Sequence, residues 1–288
     1  MNEYFTLLTK IKIHSTFWLV LGIGILTAQF IPICLLFLIV LIHELGHAAA
    51  AQYYSWRIKS IKLLPFGGAL ETEEHGNRSL REDLIVALAG PAQHIWLCAI
   101  GFVLFQSQLI THEAFYQFFY MNLVIFLFNL LPIWPLDGGK LVFVCLSQRY
   151  PFLDAHRLTI IASTILAGLG LLLFSIVAPN NLNMWVMVLF ILFSLFMEWK
   201  QRHFVFVRFL LERHYGRNER FQTLRPIHAD VSESITDVLG RFQRGCKHPI
   251  IVSKEGKERG VLDENEILHA YFTDKLTNVR MGDLLYSY

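Results

Sequence analysis

Leu41-Ile42-His43-Glu44-Leu45-Gly46-His47 sets an H-E-x-x-H pattern into an otherwise apolar run. Histidines four residues apart lie one above the other on the same face of a helix. Both imidazoles can therefore reach one zinc ion, with the intervening Glu44 beside it as a general base for water. That combination is metalloprotease chemistry. The surroundings set it apart from a chance match: Ile31 to Ile42 contains no charged residue, and Ala48 to Ala51 continue the helix beyond the motif. Ionisable side chains inside a membrane segment are costly, so a cluster of them marks a functional site.

The composition also places this run in a membrane. The chain of 288 residues is 54% hydrophobic and 17% charged, with a mean hydropathy of +0.45, unlike a soluble domain of ordinary composition. A formal net charge of +2 gives no ground for a nucleic-acid partner. Cys34, Cys98, Cys145 and Cys246 show no C-x-x-C spacing, so neither a zinc ribbon nor a disulfide framework is expected. Apolar segments fall at 16–30, 31–51, 84–106, 117–146, 158–177 and 183–199, most of them near the roughly 20 residues that span a bilayer. The first run has no small-residue cleavage site after it and is read as retained.

Loop charges alternate with these six segments. Lys10 and Lys12 precede the first, Arg57, Lys59, Lys62, Arg78 and Arg81 separate the second from the third, Arg149 and Arg157 the fourth from the fifth, and Lys200, Arg202 and Arg208 follow the sixth. The remaining loops, Thr27 to Pro32, Ser107 to Gln117 and Ala178 to Asn183, hold no Lys or Arg. The positive-inside rule then puts both termini in the cytosol. The expected fold is an α-helical polytopic membrane protein of six transmembrane segments, with a small α/β domain at the C-terminus.

Two irregular stretches flank the motif. Ile58 to Glu71, with short extended runs around Gly67-Gly68, reads as a hairpin or re-entrant loop near the membrane surface, a plain connecting loop being the even alternative. Asn129 to Gly139 puts Pro132, Pro135, Gly138, Gly139 and Asp137 inside an apolar segment. Such residues break the helix, and broken helices at membrane depth mark sites. A catalytic zinc takes three protein ligands and an open position. Asp137 is the best third candidate by depth and local breakage, and His94 is its rival, although a lone histidine on an apolar helix is more often a helix-to-helix hydrogen-bond partner.

Beyond the last segment, residues 201–225 form a basic, aromatic-rich connector suited to an anionic lipid surface or a partner helix. From Pro226 the order is a capped helix at Ser232 to Leu239, a strand at Pro249 to Val252, a strand at Gly260 to Leu262 and a capped helix from Asp263.

His43-Glu44-Leu45-Gly46-His47, Ala89-Gly90-Pro91 and the Asn129 to Gly139 stretch, in that order, resemble the site-2 protease family of intramembrane zinc metalloproteases, and its sporulation members most of all. The C-terminal unit with Gly260-Val261-Leu262-Asp263 is similar to a single cystathionine-beta-synthase (CBS) domain. The resemblance implies a membrane domain at 1–200, a linker at 201–225 and a cytosolic CBS domain at 226–288. It also implies Zn2+ on His43, His47 and Asp137, Glu44 as the catalytic base and Asn129 beside the active site. Phe66, Gly67 and Pro135 are the expected substrate contacts. The implied substrate is a membrane-associated sigma-factor precursor, cleaved during sporulation at the outer forespore membrane facing the mother cell. ATP at the CBS domain, inhibitory membrane-protein partners and pairing between subunits are implied as well. One departure is His94, where the family often carries asparagine.

Two other classes compete. A metal or ion transporter explains buried His and Asp but not the glutamate inside H-x-x-x-H. A CBS-based nucleotide sensor without proteolysis makes the cytosolic domain primary.

Overall fold

The computed structural model describes residues 7, 9–13, 15–64, 67–73, 78–216 and 223–285. The chain divides into two compact units. One comprises Met1–Glu74, Arg81–Val142 and Ser163–Ser194, and the other His75–Leu80, Phe143–Ala162 and Leu195–Tyr288.

Toward the N-terminus, β1 (Ile11–Ile13) is followed by α1 (Ser15–Leu26), α2 (Phe30–Tyr53), β2 (Ile58–Leu64) and β3 (Gly67–Thr72). Then come α3 (Leu80–Gln106), α4 (His112–Asn129), α5 (Asp137–Ser147), α6 (Phe152–Val177) and α7 (Leu182–Tyr215). Among the described residues four helices are long and apolar enough to cross a membrane: α2, α3, α6 and the Met184–Tyr215 part of α7. Phe17–Leu26 is a shorter apolar helix. On α6, Ile165, Leu172, Leu173 and Ile176 are exposed, as befits side chains solvated by lipid.

The segment expected at 117–146 is two helices, α4 and α5, separated by turns at 130–136. Pro132 and Pro135 have no N–H to continue a ladder. The freed backbone is resupplied locally: Trp134 N donates to Ser163 Oγ at 2.9 Å and Leu136 N to Ile133 O at 2.9 Å. Ile58 to Glu71 is a true hairpin, but Gly67 and Gly68 are not its turn. They lie within β3, opposite Leu64 and Leu63. β1 joins β2 in parallel, giving the order β1-β2-β3. The sheet packs through Ile58 and Ile61 onto Ala48 and Ala51 of α2 and Val86 of α3, which places the hairpin beside the H-E-x-x-H helix.

In the second unit β4 (Ile227–Asp230), α8 (Ile235–Gly240), β5 (Ile250–Lys254), β6 (Lys257–Leu262), α9 (Glu264–Phe272) and α10 (Met281–Leu285) build a sheet of order β4-β5-β6. Ser234 caps α8 by accepting from Asp237 N. Asp263 and Glu266 form a reciprocal capping box on α9. The β5–β6 hairpin turns at Glu255 and Gly256, both at positive φ, 53° and 75°, as a two-residue turn of that hand requires. Residues 201–215 of the expected connector continue α7 to Tyr215. There Phe209 stacks on Phe152 with centroids 4.2 Å apart, and Arg213 is buried against Glu264.

Candidate active site

α2 buries one stripe containing Val40, His43, Glu44, His47, Ala48 and Ala51, the i, i+3, i+4 spacing of a single helical face. His43 Nε2 and His47 Nε2 lie 3.1 Å apart. Asp137 comes from another helix, as the first residue of α5, where the positive end of the helix dipole favours a carboxylate. Its Oδ2 stands 3.0 Å from His43 Nε2 and 3.1 Å from His47 Nε2. All three residues are 3% exposed.

The outer atoms of these side chains are engaged elsewhere. His47 Nδ1 donates to Val86 O at 2.7 Å, which leaves the lone pair of the neutral ring on Nε2. His43 Nδ1 is 3.0 Å from His94 Nε2. Asp137 Oδ1 accepts from Lys140 Nζ at 2.9 Å. Two imidazole lone pairs and a carboxylate oxygen at such spacing repel unless a cation or a proton lies among them. Zinc, with bonds of about 2.0–2.2 Å to imidazole nitrogen and carboxylate oxygen, spans a triangle of this size. The donor set therefore fits zinc.

Glu44 also brings a carboxylate oxygen within 4.8 Å of both histidines, so two carboxylates compete for the third ligand position. Contact separates them. Asp137 touches both Nε2 atoms, whereas Glu44 is bonded by the backbone of Leu70 on β3. A Cβ on Gly68 would come within 2.2 Å of Glu44 Cγ, so β3 runs directly against the Glu44 side chain. The opposite wall is Gly90 of Ala89-Gly90-Pro91, whose imagined Cβ would lie 2.2 Å from His47 Nε2 and 2.7 Å from His43 Nε2. On the sheet, Lys62 Nζ donates to Glu71 Oε1 at 2.5 Å and Ser60 Oγ to Oε2 at 2.8 Å. The Lys62 bond foremost holds the Glu71 carboxyl below its usual range.

The other expected site residues are more scattered. Asn129 ends α4, and its amide donates to Ile125 O at 3.0 Å along its own helix. Pro135 is exposed in the turns between α4 and α5. Gly67 opens β3 beside Gly68, and Phe66 lies outside the described residues. His94 meets the outer nitrogen of His43 rather than the convergent Nε2 group. Lys140 and Asn122 escape the sequence reading. Lys140 stands three residues after Asp137 on α5, a spacing that pairs side chains on a helix and could have revealed it.

Comparison with known proteins follows the same residues. The sequence matches peptidase family M50 over residues 31–114 and 106–175. It is 48% identical over 291 residues, all of both chains, to a Bacillus subtilis (strain 168) protein named stage IV sporulation protein FB. It is 31% identical over 201 residues to a zinc metalloprotease of Methanocaldococcus jannaschii, covering 65% of this chain and 55% of that one. Among solved structures, a site-2 protease from Methanocaldococcus jannaschii superimposes with a TM-score of 0.53 at 28% identity, over 65% of this chain and 89% of its own.

Proposed function

The chain belongs to peptidase family M50 and is a zinc metalloprotease of the site-2 type, and from that premise we propose that it cleaves a membrane-associated sigma-factor precursor within the bilayer during sporulation. The observation that carries this reading is the convergence of His43 Nε2, His47 Nε2 and Asp137 Oδ2, with Glu44 beside them under an edge strand. The full-length similarity to a sporulation protein supports the choice of substrate class.

In this reading His43, His47 and Asp137 hold zinc, and Lys140 fixes the carboxylate rotamer by taking Oδ1. Zinc supplies Lewis-acid polarisation of the scissile carbonyl and lowers the pKa of water towards about 7. Glu44 accepts the proton of the attacking water and returns it to the leaving amine. Its burial, at 6% exposure, excludes bulk water from that transfer. Asn129 and Pro135 border the substrate path at the break between α4 and α5.

A helical substrate hides its carbonyls in internal hydrogen bonds, so the scissile segment must first become extended. β3 is an outer strand of its sheet, and it runs against Glu44. Strand addition to β3 would extend the substrate and deliver it beside the base, with Gly67 at the start of β3 and its sequence neighbour Phe66 as contacts.

The finer architecture of the proposal is six spans in residues 1–200 with both termini in the cytosol, a linker at 201–225 and a CBS domain at 226–288. That domain binds ATP and pairs between subunits, and inhibitory membrane proteins restrain the site. The address is the outer forespore membrane. Loop charges support the orientation, and the helix-strand-strand-helix order with its two caps supports the domain.

Co-expression of the precursor with the wild type or Glu44→Gln, zinc being counted in both, tests the reading. Zinc is retained and cleavage vanishes in Glu44→Gln. Equal cleavage by both proteins removes Glu44 as the base and favours the transporter.

A further inference from the structure

A buried polar chain leads away from His43 on the side opposite the convergent nitrogens. His43 Nδ1 is 3.0 Å from His94 Nε2, His94 Nδ1 is 3.1 Å from Asn122 Oδ1, and Asn122 Nδ2 donates to Phe118 O at 3.0 Å. The three side chains come from α2, α3 and α4 and are 3%, 2% and 0% exposed. Such a chain has a direction only if one end dictates it. Phe118 O is a carbonyl and can only accept, so the Asn122 amide must turn its NH2 to that carbonyl and its oxygen to His94. The His94 Nδ1 facing that oxygen must then carry the hydrogen, and the Nε2 of the neutral ring becomes an acceptor. His43 Nδ1 must donate to it, which leaves the His43 lone pair on Nε2, beside His47 and Asp137.

We propose that His94 and Asn122 are positioning residues that fix the Nδ1–H tautomer and ring orientation of His43, and so set the affinity of this site for zinc. The proposal rests on His43 being a zinc ligand. It assigns a task to His94, and it gives α4 a role in the centre through its buried Asn122. His47 reaches the same tautomer more simply, through Val86 O. The two rings are thus held by different means, one by a main-chain carbonyl and one by a side-chain relay. Partners that orient metal-bound histidines typically account for 10–100-fold in metal affinity.

The test is zinc affinity of the purified full-length protein by chelator competition, together with the visible spectrum of the Co2+-loaded protein. His94→Leu removes the acceptor for His43 Nδ1–H, and zinc affinity falls by about 10–100-fold with an altered Co2+ spectrum. Glutamine offers an acceptor to His43 and a donor to Asn122, so His94→Gln restores most of the loss, which a purely space-filling role for His94 does not predict. Asn122→Leu weakens zinc in the same direction. It also carries the test if His94→Leu fails to fold, since it leaves the His94 ring in place. Wild-type zinc affinity and spectrum in His94→Leu, or in Asn122→Leu in that event, overturn the proposal. His43→Ala is the reference. If it keeps wild-type zinc affinity, the ligand reading beneath the proposal is what fails.

Discussion

Gly90 shows how little room the centre has. The position sits where α3 crosses the two histidines, and any side chain there points at both Nε2 atoms. A methyl group within 2.2 Å of His47 Nε2 cannot be accommodated without moving the ring or the helix. The ring is pinned by Val86 O one turn earlier on the same helix, so both ends of the contact resist. Gly90→Ala therefore displaces the donor atoms. Zinc content measured on the purified variant should drop well below one per chain, and cleavage should fall by about 10²-fold, the scale of a misplacement near 1 Å. A variant with full zinc and full activity would mean that α3 yields, and that Gly90 is not the wall it forms here.

At the scale of elements, β3 makes the sharpest demand on a substrate. Successive residues of a strand direct their backbone groups to opposite sides, so a substrate strand added to β3 uses every second N–H. A proline scan of the precursor around its cleavage site should impair cleavage with period two, proline at the alternate positions being tolerated. Uniform tolerance, or loss at every position, would count against strand addition. Much of this arrangement was legible in the sequence: the H-E-x-x-H helix, the break before Asp137 and the capped helices near the C-terminus all rest on local rules of spacing and capping. What stayed hidden depends on contacts between distant segments. Asn122 is 28 residues from His94, and no periodicity links them. β1 is only three residues long, and its Ile-Lys-Ile gains meaning only when aligned with Ile61-Lys62-Leu63. Gly67-Gly68 is a strong turn signal in sequence, yet both glycines pair within β3. Gly68 is instead required by the close approach of β3 to Glu44, and Gly67 by its own φ of 147°.

For the molecule as a whole, the compact unit containing the C-terminal sheet is held by polar groups that tolerate neither loss of a partner nor an added proton. His248 donates from Nδ1 to Arg225 O and accepts at Nε2 from Gln243 N, each at 2.8 Å. Burial, helped by Arg213 nearby, holds its pKa below the ordinary 6.5 despite the opposing pull of Glu264. The folded ring stays neutral where the unfolded one would charge. Its contribution is therefore fully present above 6.5 and is lost as the pH falls through the lowered folded value. Amide protection factors across β4 to α9, with the intrinsic pH dependence of exchange divided out, should fall over that interval, and His248→Gln should flatten the response. Arg213 makes the larger demand. It gives Glu264 two bonds, Nε to Oε1 at 2.5 Å and Nη2 to Oε2 at 2.8 Å, and it donates to Gln243 O and Cys246 O. Glu264 also accepts from His248 N. With side chains 1% and 4% exposed, removing one charge strands the other, so Arg213→Met should destabilise this unit by about 3–5 kcal/mol. Arg213→Met with Glu264→Leu removes both charges and should recover part of that loss, although His248 N and the two carbonyls remain unpaired. Thermal unfolding of the full-length variants, with protease cutting beyond residue 226 as the local probe, completes the double-mutant cycle. Simple additivity of the two substitutions would show that the pair is not coupled.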